Sequence, residues 1–132
     1  MTAAAKDAGV ATHLDYAIFQ DHGYKGLYGG LGAKDIYNHK ELSKSQKILD
    51  HMGSTELAAN LFRATQAEDK LRREKVSGKI NANSVHYQVG QTVRKTIAEL
   101  GGVMPENLPT PEKSIKQLER KSKKEHPVGL EE

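Results

Sequence analysis

Four groups of residues have the types and spacing to do chemistry. The first is GYKGLYGGLGAKD, residues 23–35, which packs five glycines, two tyrosines and two lysines into thirteen positions. A glycine-rich run grips phosphate when it reads G-x-x-x-x-G-K-[ST]. The backbone N–H groups then cradle the phosphates, the lysine reaches their far end, and the hydroxyl holds magnesium. Aligned on Lys34, three positions fail: Tyr28 replaces the first glycine, Ala33 the second, and Asp35 the hydroxyl. An aspartate beside phosphate repels it. The dinucleotide fingerprint G-x-G-x-x-G is also absent, and no strand pattern precedes the run. Two readings remain. Glycines at 26, 29, 30 and 32 suit a tight or mobile connector pinned by Tyr24, Leu27, Tyr28 and Leu31. Tyr24 and Tyr28 on such a frame, flanked by Lys25 and Lys34, would also suit contact with a protein or a nucleic-acid strand.

The second group is six histidines, at 13, 22, 39, 51, 86 and 126. None forms H-E-x-x-H, and no two stand four apart on one helix, so they read as surface or capping residues. The third is a set of carboxylates, Asp15, Asp21, Asp35 and Asp50, which would have to converge in space to hold magnesium. No G-x-S-x-G elbow is present, and the serines fall mostly at apparent helix starts.

The fourth group is basic and polar. KLRREKVSGK carries Lys70, Arg72, Arg73, Lys75 and Lys79 against Glu74. KSIKQLERKSKK carries Lys113, Lys116, Arg120, Lys121, Lys123 and Lys124 against Glu119. Such clusters track phosphates or serve as solvated helix ends. Asn60, Arg63 and Gln66, three apart, form a polar ridge suited to specific hydrogen bonds with a partner or a neighbouring helix.

The elements that must carry these residues are helical. The chain has 132 residues, enough for one domain with a real core, and that core must be mostly aliphatic because aromatics are 5% and Trp is absent. Net charge is +3, which permits nucleic acid without demanding it. There is no cysteine, which removes disulfides, thiolate zinc sites and cysteine nucleophiles. No apolar run approaches the ~20 residues of a membrane span, and a cytoplasmic location is expected.

Ala3–Ala8 is helix-forming and Gly9 stops it; it reads as the end of a helix whose natural chain continues upstream. Thr12 with Asp15 makes a weak capping box for a helix bearing Leu14, Ala17 and Ile18, expected to end at His22-Gly23. A short helix over Asp35–Leu42 is anchored by Ile36. Another, capped by Ser43 or Ser45, carries Ile48, Leu49 and Met52. The strongest helix starts at Ser54 or Thr55, with Leu57, Leu61, Ala64 and Leu71 at helical spacing and Ala58 and Phe62 beside them. The next is capped by Asn81 or Asn83, with Val85, Val89, Val93, Ile97 and Leu100 as its stripe and Gly101-Gly102 as its stop. Gly90 inside it costs about 1 kcal/mol against Ala and points to a close backbone approach. Thr110 and Pro111 open a last helix with Ile115 and Leu118, ended by Pro127. The expectation is an all-α, compact domain of about five to seven helices over residues 1–126 with a Gly/Tyr-rich loop, and a flexible tail over 127–132.

Three stretches carry a resemblance. DYAIFQDHGYKGLYGGLGAKDIYNHKEL, ILDHMGSTELAANLFRATQAEDKLRRE and GGVMPENLPTPEKSIKQLE closely resemble the C-terminal half of the bacterial DNA-damage-inducible protein D family. The resemblance covers nearly the whole chain. It implies a natural chain about twice as long, whose missing N-terminal half resembles a viral-type BRO DNA-binding domain. It further implies induction in the SOS response and control of the strand-exchange recombinase filament, RecA. It supplies no catalytic residues and no cofactor.

The function expected is therefore non-enzymatic: a regulatory domain that binds recombinase filaments, with DNA contact and self-association open. The contact candidates are Tyr24, Lys25, Tyr28, Lys34, Asn60, Arg63, Gln66, Arg72, Arg73 and Lys75. Two alternatives stay beside it. One is a metal-dependent DNA-processing enzyme built from the aspartates. The other is a pure oligomerisation module for the DNA-binding half.

Overall fold

Thr2 opens the first helix, its hydroxyl accepting from Ala5 N–H at 3.2 Å. In this computed structural model, which describes residues 2–111, five α-helices follow one another with two short 3-10 turns and no strand among the described residues. They are α1 (Ala3–Asp7), α2 (His13–Leu27), α3 (Ala33–His39), α4 (Ser54–Arg73) and α5 (Lys79–Glu99), with 3-10 turns at Ile48–His51 and Pro105–Asn107. The all-α expectation holds. The last expected helix, its basic run Lys113–Lys124 and the 127–132 tail lie outside the described residues.

Local signals set most of the boundaries. Gly9 leaves α1 at a φ of +99°. Thr12 and Asp15 form a full capping box on α2: Thr12 Oγ1 accepts from Asp15 N–H at 3.0 Å, and Asp15 Oδ2 accepts from Thr12 N–H at 3.2 Å. Gly101, at φ +75°, follows the end of α5. Four starts differ from expectation: α3 begins at Ala33 rather than Asp35, the helix expected after Ser43 or Ser45 is only the 3-10 turn Ile48–His51, and two N-caps are glycines. Gly53 rather than Ser54 or Thr55 is the N-cap of α4, and Gly78, at φ +94°, stands before α5 in place of an asparagine.

The larger departure is at Gly23, which does not end α2; the helix runs on to Leu27 through Gly23 and Gly26. Tertiary packing explains it. α2 and α5 make the most extensive helix contact, and they run parallel, because Asp15 meets Lys79, Phe19 meets His86 and Leu27 meets Arg94. Glycines form the seam. A Cβ on Gly90 would sit 2.7 Å from Gly23 O and 2.8 Å from Leu27 N, and one on Gly26 would collide with Tyr87 O. Each glycine costs helix propensity, yet here it removes the side chain that would hold two backbones apart.

Part of the expected apolar stripes faces outward, although Leu71 is buried and Leu57 packs half-buried against the core as expected. On α2 the buried residues are Phe19, Gly23, Tyr24, Gly26 and Leu27, whereas Leu14, Ala17 and Ile18 face solvent. On α4 the buried residues are Glu56, Asn60, Arg63, Ala67 and Leu71, while Leu61 and Phe62 are 50% and 56% exposed. On α5 Val89 and Val93 are buried as expected, Val85 and Ile97 half-buried, and Leu100 exposed.

The apolar core has two parts. One gathers Tyr24, Leu27, Tyr28, Ile36, Met52 and Val93 with their neighbours. The other gathers α1 and Val10 with Phe19, Leu71 and Ala82.

Candidate functional site

Between the two cores runs a chain of polar side chains. Lys40 Nζ donates to Glu56 Oε1 at 2.8 Å and to Thr110 Oγ1 at 3.1 Å. The Tyr28 hydroxyl donates to Glu56 Oε2 at 2.5 Å and accepts from Asn60 Nδ2 at 2.9 Å. Asn60 Oδ1 accepts from Arg63 Nη2 at 3.1 Å. Arg63 Nη1 meets His86 Nε2 at 2.5 Å, and His86 Nδ1 meets Phe19 O at 2.8 Å. Glu56, Asn60, Arg63 and His86 are at most 2% exposed. The run joins α2, α4 and α5 to Lys40, the residue that ends α3.

Hydrogen-bond roles follow from chemistry. Phe19 O only accepts, so His86 carries its proton on Nδ1 and offers the Nε2 lone pair to Arg63, which only donates. Burial, then the Arg63 charge, pushes the His86 pKa down to about 3, against the pull of the Phe19 carbonyl. Neutral His86 is the form that fits. Burial and the Glu56 carboxylate hold the Tyr28 hydroxyl far above its ordinary range, so it stays protonated as Glu56's donor. Burial lowers the Arg63 pKa. Arg63 has no carboxylate among these hydrogen-bond partners. Its guanidinium lies over the Tyr24 ring, 4.8 Å from the centroid, and its Nε is buried without a hydrogen-bond partner among the described residues.

The contact candidates therefore separate. Tyr24, Tyr28, Asn60 and Arg63 lie inside the molecule and do not form the expected outward surface; the α2–α5 seam and the polar chain enclose them. Lys34, Gln66, Arg72, Arg73 and Lys75 are exposed and Lys25 is half-buried. Lys25 pairs with Asp21 at 3.2 Å at the α2–α3 corner. Arg73 Nε donates to Asp69 Oδ2 at 2.6 Å, and Arg72 stands 4.0 Å from Asp69 Oδ1. Lys75 adopts a φ of +50° in the turn between α4 and α5. The glycine–tyrosine run is thus mostly helix, and its loop shrinks to the link between Leu27 and Ala33.

Asp21 and Asp35 come together at the start of α3, but the four aspartates do not gather into one metal-holding group. Asp15 caps α2, and Thr12 N–H holds its carboxyl below the ordinary range. Asp21 and Asp35 accept from Ala33 N–H at 2.7 Å and Gly32 N–H at 3.0 Å, so both serve the start of α3. Among the described residues no group of three His, Asp or Glu is placed to hold a metal ion, and no helix is long and apolar enough to cross a membrane.

Sequence reasoning missed Lys40, Glu56 and His86 as members of the polar chain. A signal was present: the ridge of Asn60 and Arg63 continues at helical spacing back to Glu56, not on to exposed Gln66.

Comparison with known proteins gives one family and one curated relative. Residues 1–118 match the family described as DinD C-terminal domain. DNA damage-inducible protein D of Escherichia coli (strain K12) is 67% identical over 120 residues, which is 91% of this chain and 44% of that protein. The chain thus spans less than half the length of this relative. No solved structure matches. With a family match over residues 1–118 and this level of identity, the chain belongs to the DinD C-terminal domain family.

Proposed function

We propose that this domain is a non-enzymatic binding module of the DNA-damage response, acting on strand-exchange recombinase (RecA) filaments. The DNA-damage role comes from the name of the relative, of which this chain matches 44%. The observation that carries the binding reading is the fate of the reactive groups. Glu56, Tyr28, Asn60, Arg63 and His86 hydrogen-bond to one another inside the molecule, while cations remain on the outside.

The contact surface proposed is the end of α4 and its turn, with Gln66, Arg72, Arg73 and Lys75. Lys25 on α2 and Lys34 on α3 stand outside that surface. Surface ion pairs such as Arg73–Asp69 contribute little, so these arginines can exchange partners readily.

The test is binding of the chain to recombinase, to preformed filament and to single-stranded DNA, each at two salt concentrations. Filament binding that weakens in Arg72→Ala/Arg73→Ala is the expected result. Binding to bare single-stranded DNA that falls steeply with salt would instead indicate phosphate tracking. No binding to any of the three removes this activity from the domain.

A further inference from the structure

The outer face of α4 is apolar and uncharged where a solvent-facing helix would carry Glu and Lys. Leu61 and Phe62, 50% and 56% exposed, stand between exposed Ala58 and Thr65, and no charge appears on the exposed positions from Ala58 to Gln66. Phe62 also forms the rim of an open groove of about 490 Å³ between α4 and α5, floored by Val89 and Val93. We propose that this face is a two-fold interface with a second copy of the chain, in which Phe62 of each copy enters the α4–α5 groove of the other.

Three features select a second copy over other occupants. A two-fold contact uses one patch twice, so the patch must hold both a projection and a recess, and Phe62 beside the Val89–Val93 groove provides both. The exposed α4 positions from Ala58 to Gln66 carry no charge, so no like charges meet where two α4 faces cross, and that stretch does not suit nucleic acid, which binds through cations. Lys70 and Arg73 also line the groove, each paired with a carboxylate of its own helix. The charges begin only at Asp69, Lys70, Arg73 and Glu74, which pair with one another. In an antiparallel crossing at Phe62, that mixed-sign end lies over positions 50–55 of the partner, the start of its α4 and the turn before it.

The size is adequate. α4 has 20 residues and is about 30 Å long, and with a neighbouring axis 8–10 Å away the pair offers about 600 Å² per copy. Two copies would bury about 1,200 Å², the lower end of specific interfaces. The inference does not depend on the recombinase reading, but the groove shares Gln66 and Arg73 with the surface proposed there, so a dimer and a filament would compete for them.

The test is the mass of the chain by light scattering and sedimentation across concentration, with Phe62→Glu and Ile80→Glu alongside. Ile80 is 78% exposed on a different patch, so its change controls for a generic loss of surface hydrophobicity. A dimer mass that becomes monomeric in Phe62→Glu, and not in Ile80→Glu, supports the proposal. Because the chain has no cysteine, mild oxidation of an equal mixture of Phe62→Cys and Thr92→Cys chains adds an independent readout: a disulfide should join the two variants, and a mixture of Phe62→Cys and Leu14→Cys chains should not be joined. A monomer at every concentration overturns it. So does a dimer that Phe62→Glu leaves intact.

Discussion

Arg63 Nη1 lies 2.5 Å from His86 Nε2, and both residues are at most 2% exposed. A cation buried against an imidazole requires that imidazole to be neutral. Its ring lies tilted against Phe19 of one core, centroids 4.3 Å apart, while Arg63 lies over Tyr24 of the other. The pair therefore links the two halves of the interior.

Acid should loosen this link. His86 is held at about 3 in the fold against 6.5 unfolded, so the unfolded chain takes up the proton first as pH falls. The stability is complete above about pH 6.5 and is lost progressively down to about pH 3. Near pH 5 the loss is about 2 kcal/mol. Urea midpoints measured from pH 7.5 to 5 should fall accordingly, and His86→Gln should flatten that slope. A slope unchanged by the substitution contradicts the assignment.

Tyr28 and Glu56 should be energetically coupled. Tyr28→Phe removes the donor to Glu56 and the acceptor of Asn60 and should cost about 1–3 kcal/mol. Glu56→Ala leaves Lys40, whose side chain is 3% exposed, without its carboxylate, and should cost about 3–5 kcal/mol. A double-mutant cycle by chemical denaturation should return a coupling of about 0.5–3 kcal/mol. Additive losses would mean the hydroxyl and the carboxylate act separately.

The glycine seam should reject a methyl group. Gly90→Ala gains helix propensity of about 1 kcal/mol but drives a Cβ into the backbone of Gly23 and Leu27. The net result should be a loss of about 1–3 kcal/mol by thermal or urea unfolding. Gly53→Ser is the contrast: its Cβ meets nothing within 4 Å, its backbone is extended, and it is an N-cap with no side-chain bond. That change should stabilise by a few tenths of a kcal/mol. A stabilised Gly90→Ala would remove the close crossing.

Arg94 should hold the 3-10 turn at Pro105–Asn107 in place. It donates from Nη1 and Nη2 to the two Glu106 oxygens, each at 2.8 Å, and from Nη1 to Leu27 O at 3.2 Å. The same bonds lower the Glu106 pKa and raise that of Arg94. Arg94→Lys keeps the charge but not the paired geometry. Amide exchange over residues 103–108 should accelerate about 5- to 10-fold, corresponding to roughly 1 kcal/mol. Unchanged protection there would show that Pro105 packing alone fixes the turn.

Local signals reach only part of this molecule. The all-α class, the α2 capping box, Gly9, the Gly101 stop, the Ile36 anchor and the family resemblance are written in the sequence, because caps, glycine stops and long residue runs act within a few positions. The close approach at Gly90 is legible too, as a propensity cost with no local return. The buried faces of α2 and α4 were decided elsewhere. Periodicity scores Leu14, Ile18, Leu61 and Phe62 as core, but burial belongs to whichever face meets a neighbour. Here the parallel α2–α5 crossing needs glycines inward, and the polar side chains of α4 find partners on α2, α5 and Lys40. Asn60 and Arg63 look like surface residues by type. Only the tertiary structure shows that their hydrogen-bond partners, 32 and 23 positions away, make burial affordable.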